Sequence, residues 1–403
     1  MFKEGLQNFF KDYAERKGIF KDKNSLQSNF IPEFLIHREV QIQQLAQILA
    51  PCIRKEKPSN ILIYGKTGTG KTVTVQHVTK SMKIVADEKN IPLIFLYLNC
   101  KLKKVADTEY RLIAQLARDL GQQIPPTGLP TDEVYNFFYK ALDASGKIVL
   151  LVLDEIDQLA GSTSDQILYN LTRMNSELKS SQISFVGISN NLSFTNTLDP
   201  RVKSSLSQEE IVFPPYNALQ LQDILRDRAK LSFSEGIIDD GVIEKCAAYA
   251  AREHGDARRA LELLRVAGEL AERGNSQKIL VEHIDNAEEK IDHDTITEIV
   301  GSQPLQHQLT LHSLLTLCGQ TAEPVFTGEI YDVYNKLCEQ QGIRPLTQRR
   351  ISDILGEFDM LGIIRAKVIS KGRYGRTREI RPCVPLATEL QIRKTLHDAL
   401  SME

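Results

Sequence analysis

The sequence predicts an α/β fold for the first half of the chain, followed by a helical segment and then a segment of helices and strands. From Asn60 to Phe213, short β-branched runs alternate with helical patterns, an order that favours a parallel sheet covered by helices. After Pro214 and Pro215 the strand patterns stop. The last third begins with helical patterns and closes with two strands.

The predicted strands are short apolar runs. They are Ile61 to Tyr64, Leu93 to Leu98, Ile148 to Leu153, Ile183 to Ile188 and Ile211 to Phe213. The run Ile148 to Leu153 is apolar without interruption, which favours a strand buried on both faces in the middle of the sheet. The proline-rich residues 122–131 predict an irregular segment within this part of the chain.

Three helical patterns follow the last strand, at Leu219 to Lys230, Val242 to Arg252 and Ala257 to Arg273. They predict a small all-helical domain. The helical pattern then weakens between Asp292 and Gln303 before the last segment begins. With about 100 to 200 residues per domain, 403 residues predict two or three domains. The patterns along the chain divide it into three, at 1–215 with an N-terminal extension at 1–30, at 216–293 and at 294–403.

The composition is that of an ordinary globular protein, with 42% hydrophobic and 25% charged residues. The formal net charge of -2 argues against a chain coated in basic residues, so any DNA contact must be local. The six cysteines form no Cys-x-x-Cys pair, which disfavours a zinc site and a disulfide framework and favours a reducing compartment.

The N-terminal residues Met1 to Phe20 mix charged side chains through the apolar ones and lack the apolar core of a signal peptide. The longest apolar runs fall far short of the roughly 20 residues that a membrane-spanning helix needs. We therefore predict a cytoplasmic protein with no membrane partner.

A glycine-rich loop directly follows the first predicted strand. Its residues are Gly65, Lys66, Thr67, Gly68, Thr69, Gly70, Lys71 and Thr72. They match G-x-x-x-x-G-K-[ST], the P-loop that cradles nucleotide phosphates with its backbone N–H groups and the following helix N-terminus. We expect Lys71 to reach the β and γ phosphates and Thr72 to bind Mg²⁺. The alternative is a simple glycine turn before a helix.

Two adjacent carboxylates, Asp154 and Glu155, follow the apolar run Ile148 to Leu153. Ligands bind at the carboxyl ends of parallel strands. We expect Asp154 to hold Mg²⁺, and Glu155 to orient and deprotonate the attacking water. The alternative is an acidic helix cap. Asn190 follows the next strand, where its amide would position the same water, and an Asn-rich turn is the alternative there. Together these residues predict an ATPase of the AAA+ class with ATP or ADP and Mg²⁺ as cofactors.

The sequence resembles a known family over nearly its whole length. The motifs that carry the resemblance are Gly65 to Thr72, Asp154 to Asp157, Gly187 to Asn190, Leu198 to Leu206, Gly255 to Leu261 and Gly372 to Arg376. The family is that of the archaeal replication initiators, similar to the eukaryotic origin-recognition large subunit and to the related cell-division-control helicase loader. The string Leu198 to Leu206 is the motif most specific to initiators.

The resemblance implies further site residues. Arg201 would be an arginine finger that acts on the nucleotide of a neighbouring subunit, although the residues alone favour a surface arginine paired with Asp199. Arg258 would be the second-sensor arginine that carries the helical lid onto the γ-phosphate, with Arg259 as the runner-up. The segment Phe30 to Glu39 resembles the box beside the adenine, which gives Ile31 a base contact.

Within that segment, His37 by itself favours a structural role. The resemblance also implies an insertion between Cys100 and about Gly128 that contacts DNA, in which Lys101, Lys103 and Lys104 lie. A solvated loop is the alternative for that insertion.

The last segment carries a local positive ribbon. Between Ile363 and Arg381 the basic residues are Arg365, Lys367, Lys371, Arg373, Arg376, Arg378 and Arg381, against the single acid Glu379. The order of helices followed by a β-hairpin is typical of a winged helix. The hairpin would grip phosphates or the minor groove, with Lys371, Arg373, Tyr374 and Arg376 as predicted contacts.

Before the hairpin, a helix begins after Leu346 and places Ile351, Ile354, Leu355 and Phe358 at helical spacing. A recognition helix reads bases from its N-terminal turns. The predicted DNA contacts there are Thr347, Gln348, Arg349 and Arg350. The alternative is a solvated hairpin or a winged helix that contacts protein.

We therefore expect an AAA+ P-loop domain with a helical lid domain and a C-terminal winged-helix domain. The function expected is a replication initiator that binds origin double-stranded DNA and uses ATP as a conformational switch. Its partners would be paralogous initiator subunits and the replicative helicase, and it would be nucleoid-associated. The alternatives are a loading or remodelling ATPase whose winged helix contacts protein, and a signalling ATPase that regulates transcription.

Overall fold

The computed structural model of the chain describes residues 18–27, 30–101, 108–159, 162–206, 208–320, 323–370 and 376–400. The chain divides into two compact units, Met1–Ile284 and Asp285–Glu403. The three-domain division at 215/216 and 293/294 stays a prediction.

A parallel sheet forms the centre of the first unit. Its strands are β1 (Ile61–Tyr64), β2 (Leu93–Asn99), β3 (Ile148–Asp154), β4 (Gln182–Ser189) and β5 (Glu209–Val212). Their order across the sheet is β2-β3-β4-β1-β5. The register pairs Asn99 with Asp154 and Tyr64 with Ser189, so the carboxyl ends of the strands lie at one edge of the sheet.

Alternating side chains of the strands supply cores on both faces of this sheet. Leu62, Leu151 and Leu153 belong to one cluster of buried residues, whereas Ile63 and Val152 belong to another. This division follows from the period of two along a strand. All seven residues of β3 are buried, which explains why its sequence is apolar throughout.

The predicted strands are confirmed with ends that differ by one or two residues, but the expected middle strand is wrong. β4 is the third of the five strands and β3 lies beside it. Uninterrupted apolarity reports that a strand is covered on both faces, and every interior strand of such a sheet meets that condition. Apolarity therefore does not distinguish the middle strand from its neighbour.

One helix precedes the first strand of this sheet, and the others lie between consecutive strands. They are α1 (Glu39–Leu49), α2 (Lys71–Glu88), α3 (Glu109–Asp119), α4 (Thr131–Ala144), α5 (Ser162–Arg173), α6 (Phe194–Thr197) and α7 (Pro200–Leu206). A proline-rich loop precedes α4, as the composition of residues 122–131 predicts.

The three helices predicted after the sheet are confirmed as α8 (Ala218–Ser232), α9 (Val242–Arg252) and α10 (Ala257–Arg273). Asn217 and Gln220 form a capping box at the start of α8. Such caps satisfy the first free N–H groups of a helix, so α8 begins at a defined residue.

The second unit combines helices with a small antiparallel sheet. Its helices are α11 (Val281–Ser302), which contains the boundary between the units, α12 (Leu305–Gln320), α13 (Thr327–Gln340), α14 (Gln348–Met360) and α15 (Leu386–Ala399). The strands are β6 (Val325–Phe326), β7 (Ile364–Ser370) and β8 (Arg376–Pro382), in the order β6-β8-β7.

The predicted hairpin is confirmed as β7 and β8, but two expectations for this part of the chain are wrong, because β6 is an additional strand and α15 follows the hairpin. The weak pattern from Asp292 to Gln303 lies largely in the continuous helix α11. A two-residue strand is too short to show a periodicity, and α11 keeps its helical backbone through residues with a weak apolar stripe.

Among the residues with a described structure, none of the helices combines the length and the apolar character that a membrane crossing needs.

Candidate nucleotide and DNA sites

A cavity of about 310 Å³ lies in the first unit, where the loop before α2 meets the ends of β3 and β4 and the helices α8 and α10. The predicted site residues that line it are Ile31, Gly68, Thr69, Gly70, Lys71, Thr72, Asp154, Glu155, Asn190 and Arg258. The structure therefore brings together side chains that lie more than 200 residues apart in the sequence.

The loop before α2 adopts a backbone that requires glycine at two positions. Gly68 and Gly70 have φ angles of 68° and 88°, in the left-handed region that L side chains rarely adopt. Gly65 must be glycine for another reason, because a Cβ there would stand 2.4 Å from the carbonyl oxygen of Phe213. The loop can therefore pass close to the end of β5.

Lys71 is buried beneath this loop, with 5% of its surface exposed. Its Nζ donates hydrogen bonds to the carbonyl oxygens of Gly65 and Lys66, each at 2.7 Å. Burial and the nearby positive charge of Arg258 lower the pKa of Lys71 to about 8. An anion in the cavity would offset both effects, so the lysine is suited to bind phosphate.

Asp154 and Thr72 present oxygen ligands side by side. The Thr72 hydroxyl donates to Oδ2 of Asp154 at 2.9 Å, and the Tyr97 hydroxyl donates to the same oxygen at 2.6 Å. Mg²⁺ prefers oxygen ligands and usually takes one or two protein groups together with substrate phosphates. A hydroxyl and a carboxylate on the cavity wall fit that ion, and these two residues would hold it.

Glu155 has a strained backbone, with a φ angle of 53°, which costs energy for a residue with a side chain. The strained residue lies on the cavity wall. Lys101 Nζ lies 3.7 Å from its Oε2, so the carboxylate has a cation nearby.

Asn190 lies beside these carboxylates because Asp157 anchors its backbone. The Asn190 N–H donates to Oδ1 of Asp157 at 3.0 Å. The predicted amide therefore lies at the end of β4 on the cavity wall.

Arg258 and Arg259 occupy different environments. Arg258 lines the cavity, whereas Nε of Arg259 lies 3.0 Å from Oε2 of Glu253. The carboxylate of Asp256 accepts from the backbone N–H groups of both arginines and caps α10. The Ala257 N–H donates to the Gly68 carbonyl at 3.2 Å, which joins this helix directly to the phosphate loop.

Arg201, Gly65, Lys66 and Thr67 are predicted site residues that are not among the lining residues of this cavity. The guanidinium of Arg201 pairs with Asp199 at 3.0 Å, and 72% of its side chain is exposed. The pairing that the residues alone favour is therefore confirmed, and the role of Arg201 toward a neighbouring subunit stays a prediction.

His37 and Arg38 connect three parts of the first unit. Nε2 of His37 lies 2.9 Å from Oδ2 of Asp223 on α8, in agreement with the structural role that the residues alone favour. Arg38 donates to the carbonyl oxygens of Thr69 at 2.8 Å and Pro214 at 2.7 Å. Its guanidinium carbon lies 3.7 Å from the centroid of the Tyr216 ring.

In the second unit, α14 presents the predicted recognition residues. Ile351, Ile354, Leu355 and Phe358 are all fully buried, as their spacing predicts. The residues Thr347, Gln348, Arg349 and Arg350 are all exposed at the helix N-terminus. Nη1 of Arg350 lies 3.5 Å from Oε1 of Glu357 on the same helix.

Strand β7 of the hairpin has a buried and an exposed face near its start. Ile364 is buried, whereas Arg365 and Lys367 are exposed. Towards the tip, Val368 is 59% exposed, because the apolar core ends before it. The predicted contacts Lys371, Arg373 and Tyr374 lie outside the described residues, as does the side chain of Arg376, whose backbone begins β8.

Arg378 has a different role from the other basic residues of the hairpin. Its Nη1 donates to the Ser352 carbonyl on α14 at 2.7 Å. Arg378 therefore ties β8 to the recognition helix.

Three family models match consecutive parts of the chain. A model described as AAA domain matches residues 54–193, one described as Cdc6 AAA+ ATPase-type lid domain matches residues 222–289, and one described as CDC6, C terminal winged helix domain matches residues 298–389.

Proteins named ORC1-type DNA replication protein are similar over almost the whole chain. The protein from Thermococcus onnurineus is 50% identical over 380 residues, which cover 93% of this chain and 91% of that protein. The protein from Pyrococcus furiosus is 49% identical over 402 residues, which cover 99% and 94%. This chain belongs to the family of ORC1-type DNA replication proteins.

The ORC1-type chain is also similar to solved structures. The Aeropyrum pernix ORC1 protein, solved in complex with DNA, shares 42% sequence identity with a TM-score of 0.83, over 95% of this chain and 98% of that one. The Cdc6p structure from Pyrobaculum aerophilum shares 26% identity with a TM-score of 0.61, over 95% of this chain and 100% of that one. These findings confirm the predicted architecture of AAA+ domain, lid and winged helix.

Sequence reasoning missed Tyr97 and Arg38 of this ORC1-type chain. Tyr97 contacts Asp154 because β2 and β3 are neighbours in the sheet, and a tyrosine within an apolar strand gives no sign of its partner. Arg38 is 2% exposed, which no local pattern indicates. A side chain with a hydroxyl near the carboxyl end of an apolar strand is the one signal that would have directed attention to Tyr97.

Proposed function

We propose that this ORC1-type chain initiates replication by binding ATP or ADP with Mg²⁺ in its cavity and origin double-stranded DNA through its winged helix and AAA+ domain. The nucleotide acts as a conformational switch, and hydrolysis is slow. The observation that carries the proposal is the convergence of the phosphate loop, Asp154, Glu155, Asn190 and Arg258 on one cavity.

The residues that line the cavity have different roles in binding and hydrolysing the nucleotide. Lys71 and Arg258 supply positive charge where the β and γ phosphates would lie, and the N–H groups at the start of α2 add their dipoles. Thr72 and Asp154 hold the metal ion, which when bound neutralises phosphate charge. Glu155 accepts a proton from the attacking water, and Asn190 orients that water.

The switch is built on α10, which carries Arg258 and contacts the phosphate loop at Gly68. A γ-phosphate would attract Arg258, and its loss would release that attraction. A change at the phosphates can therefore change the angle of the lid helices. Arg201, which is exposed, would complete the site of a paralogous initiator subunit, and the replicative helicase is a further partner.

DNA binding is supported by the exposed start of α14 and by the basic face of the hairpin. Thr347, Gln348, Arg349 and Arg350 would read base edges in the major groove. Arg365 and Lys367 on β7 are also exposed, and the hairpin residues Lys371, Arg373, Tyr374 and Arg376 would contact phosphates or the minor groove. The similar ORC1 protein of Aeropyrum pernix was solved in complex with DNA.

The nucleotide part is tested with Glu155→Gln. The variant should bind ATP as the wild type does, because the amide keeps the size of the side chain. Hydrolysis should fall by about 100-fold or more, the usual contribution of a general base. Equilibrium binding and phosphate release measure the two effects, with Glu133→Gln on the exposed side of α4 as the control. Unchanged turnover would remove Glu155 from the base role.

The DNA part is tested by fluorescence anisotropy with genomic origin duplexes and with random duplexes at physiological salt, with ATP and with ADP. We expect tighter binding to a subset of genomic duplexes. An equal affinity for every duplex would contradict origin recognition.

A loading ATPase whose winged helix contacts protein is the second candidate. It is favoured by adjacent exposed apolar side chains on the second unit, since Met360 is 83% and Leu361 is 43% exposed. Exposed apolar residues that lie together mark protein contacts. A loader should hydrolyse ATP faster when its protein partner is added, whereas an initiator keeps the slow rate.

A further inference from the structure

Arg228 is a buried arginine on the wall of the nucleotide cavity. It lies on α8, is 7% exposed and lines the cavity together with Phe30 and Ile31. Its guanidinium carbon stands 4.5 Å from the centroid of the Phe30 ring. Arg228 therefore lies beside the apolar segment that starts at Phe30.

One nitrogen of this guanidinium is unpartnered. Nη1 of Arg228 is buried and donates no hydrogen bond to any group within the described parts of the chain. Burial lowers the pKa of Arg228, and the charge of Asp227 partly offsets this effect. A buried donor without an acceptor is costly, so the cavity is the place where an acceptor would lower the free energy.

The neighbours of Arg228 separate it from the phosphate end of the cavity. The charges that act on the pKa of Lys71 belong to Arg258, Asp154, Asp157 and Asp256. The neighbours of Arg228 are instead an aromatic ring and Asp227. A guanidinium above an aromatic ring, beside aliphatic side chains, suits a flat heterocycle better than a phosphate.

The hydrogen-bonding chemistry of a guanidinium and of a purine limits which nucleotide atoms Arg228 can contact. Guanidinium groups only donate hydrogen bonds. A purine base offers ring nitrogens that accept in the plane of the ring, as the N7 atom does in DNA recognition. The sugar hydroxyls lie out of that plane.

We propose that Nη1 of Arg228 donates a hydrogen bond to a ring nitrogen of the purine base, which makes Arg228 a base-contacting residue that determines nucleotide specificity. This inference rests on the proposed nucleotide-binding function and extends it to the base. None of the sequence motifs singles out Arg228, since its role depends on burial and on the ring of Phe30.

The test removes the hydrogen-bond acceptor from the nucleotide and the hydrogen-bond donor from the protein, separately and together. Equilibrium affinities are measured for ADP and for its 1-deaza, 3-deaza and 7-deaza analogues, each of which replaces one ring nitrogen with C–H. In the wild type, one of the three analogues should bind on the order of ten to a hundred times more weakly than ADP, the range of a hydrogen bond from a charged donor.

In Arg228→Met, ADP itself should bind more weakly than to the wild type by the same factor. The analogue that binds the wild type weakly should bind this variant as tightly as ADP does. Arg226→Met is the matched control, because Arg226 lies on the same helix, is half-exposed and pairs with Glu244 at 2.7 Å. It should retain the wild-type pattern. Arg228→Gln, whose amide still donates, provides a second variant if the methionine variant fails to fold, and it should retain part of the sensitivity.

An identical response to the analogues in wild type and in both Arg228 variants would overturn the inference. So would a sensitivity to 2′-deoxy-ADP that the Arg228 variants abolish, because it would place the donor on the sugar. If the wild type binds no adenine nucleotide at all, the proposed function itself fails, which separates the two failures.

Discussion

Lys71 is a buried lysine whose lowered pKa makes both stability and nucleotide binding depend on pH. Its ammonium donates hydrogen bonds to two loop carbonyl oxygens, and its pKa is lowered to about 8, mainly by burial and further by Arg258. The unfolded chain keeps this lysine protonated to a higher pH. Between these two pKa values the unfolded state binds more protons, so the contribution of Lys71 to stability rises with pH there.

Nucleotide affinity should depend on pH in the opposite sense. A phosphate binds the protonated lysine, so above pH 8 binding must take up a proton. We expect the affinity for ADP to fall by up to about tenfold per pH unit in that range. Calorimetry in buffers of different ionisation enthalpy counts the protons taken up.

The matched variant is Lys71→Arg, because arginine stays charged throughout this range. Its binding, although weaker, should take up no proton above pH 8. Equal proton uptake by both proteins would assign the titration to another group.

Arg38 is a second residue whose contacts predict a measurable loss. In Arg38→Ala the carbonyl oxygens of Thr69 and Pro214 lose their donor, and buried acceptors without partners are costly. We expect the free energy of unfolding of the first unit to fall by about 2 to 4 kcal/mol, measured by denaturant titration.

Nucleotide affinity should fall in the same variant, because Thr69 belongs to the phosphate loop. Arg54→Ala, at an exposed arginine, is the control and should unfold as the wild type does. A wild-type unfolding curve for Arg38→Ala would show that these hydrogen bonds contribute little.

Among the elements, the hairpin and α14 are predicted to divide DNA binding between them. Arg378 joins the two through the Ser352 carbonyl, so a phosphate contact at β7 or β8 also positions the helix. The exposed residues at the start of α14 would then supply sequence discrimination, and the hairpin would supply charge.

The contribution of the hairpin to DNA affinity is tested with the double variant Arg373→Ala and Arg376→Ala. Each phosphate contact releases counterions, so the slope of log affinity against log salt should become shallower by about 2 when two contacts are lost. Anisotropy titrations across a salt series measure the slope. The double variant Lys80→Ala and Lys83→Ala, on the exposed side of α2, removes the same charge and should leave the slope unchanged.

An unaltered slope in the hairpin variant would remove these two arginines from the DNA contact. The recognition helix would then have to supply the electrostatic part of the affinity.

For the whole molecule, a nucleotide switch makes a prediction that does not depend on its structural route. If ATP in place of ADP changes the affinity for origin DNA by some factor, then bound DNA must change the relative affinity for ATP and ADP by the same factor. Both quantities are measurable with the hydrolysis-deficient Glu155→Gln. A nucleotide effect on DNA binding of less than about twofold would contradict the switch, since couplings of this kind usually amount to fivefold or more.

The site was predictable where one short stretch of chain carries the chemistry. Thr72 and Asp154 belong to local motifs that follow apolar strands, and the carboxyl ends of parallel strands meet at one edge, so their contact at 2.9 Å follows from the pattern. Arg228 and Tyr97 were not predictable in this way. Each acquires its role from a partner on another element, and no spacing in the sequence encodes that partner.

The sequence by itself determined the α/β class, the strands of the parallel sheet and the three helices that follow it, the phosphate loop and its acids, and the family resemblance. These are local properties, because periodicity, glycine placement and motif spelling act over a few residues. Tertiary structure alone decided that β4 is the middle strand, that Arg38 bridges the phosphate loop and Pro214, and that Arg228 faces the nucleotide cavity. Strand order and burial arise from packing between distant segments, where many sequences satisfy the same local rules.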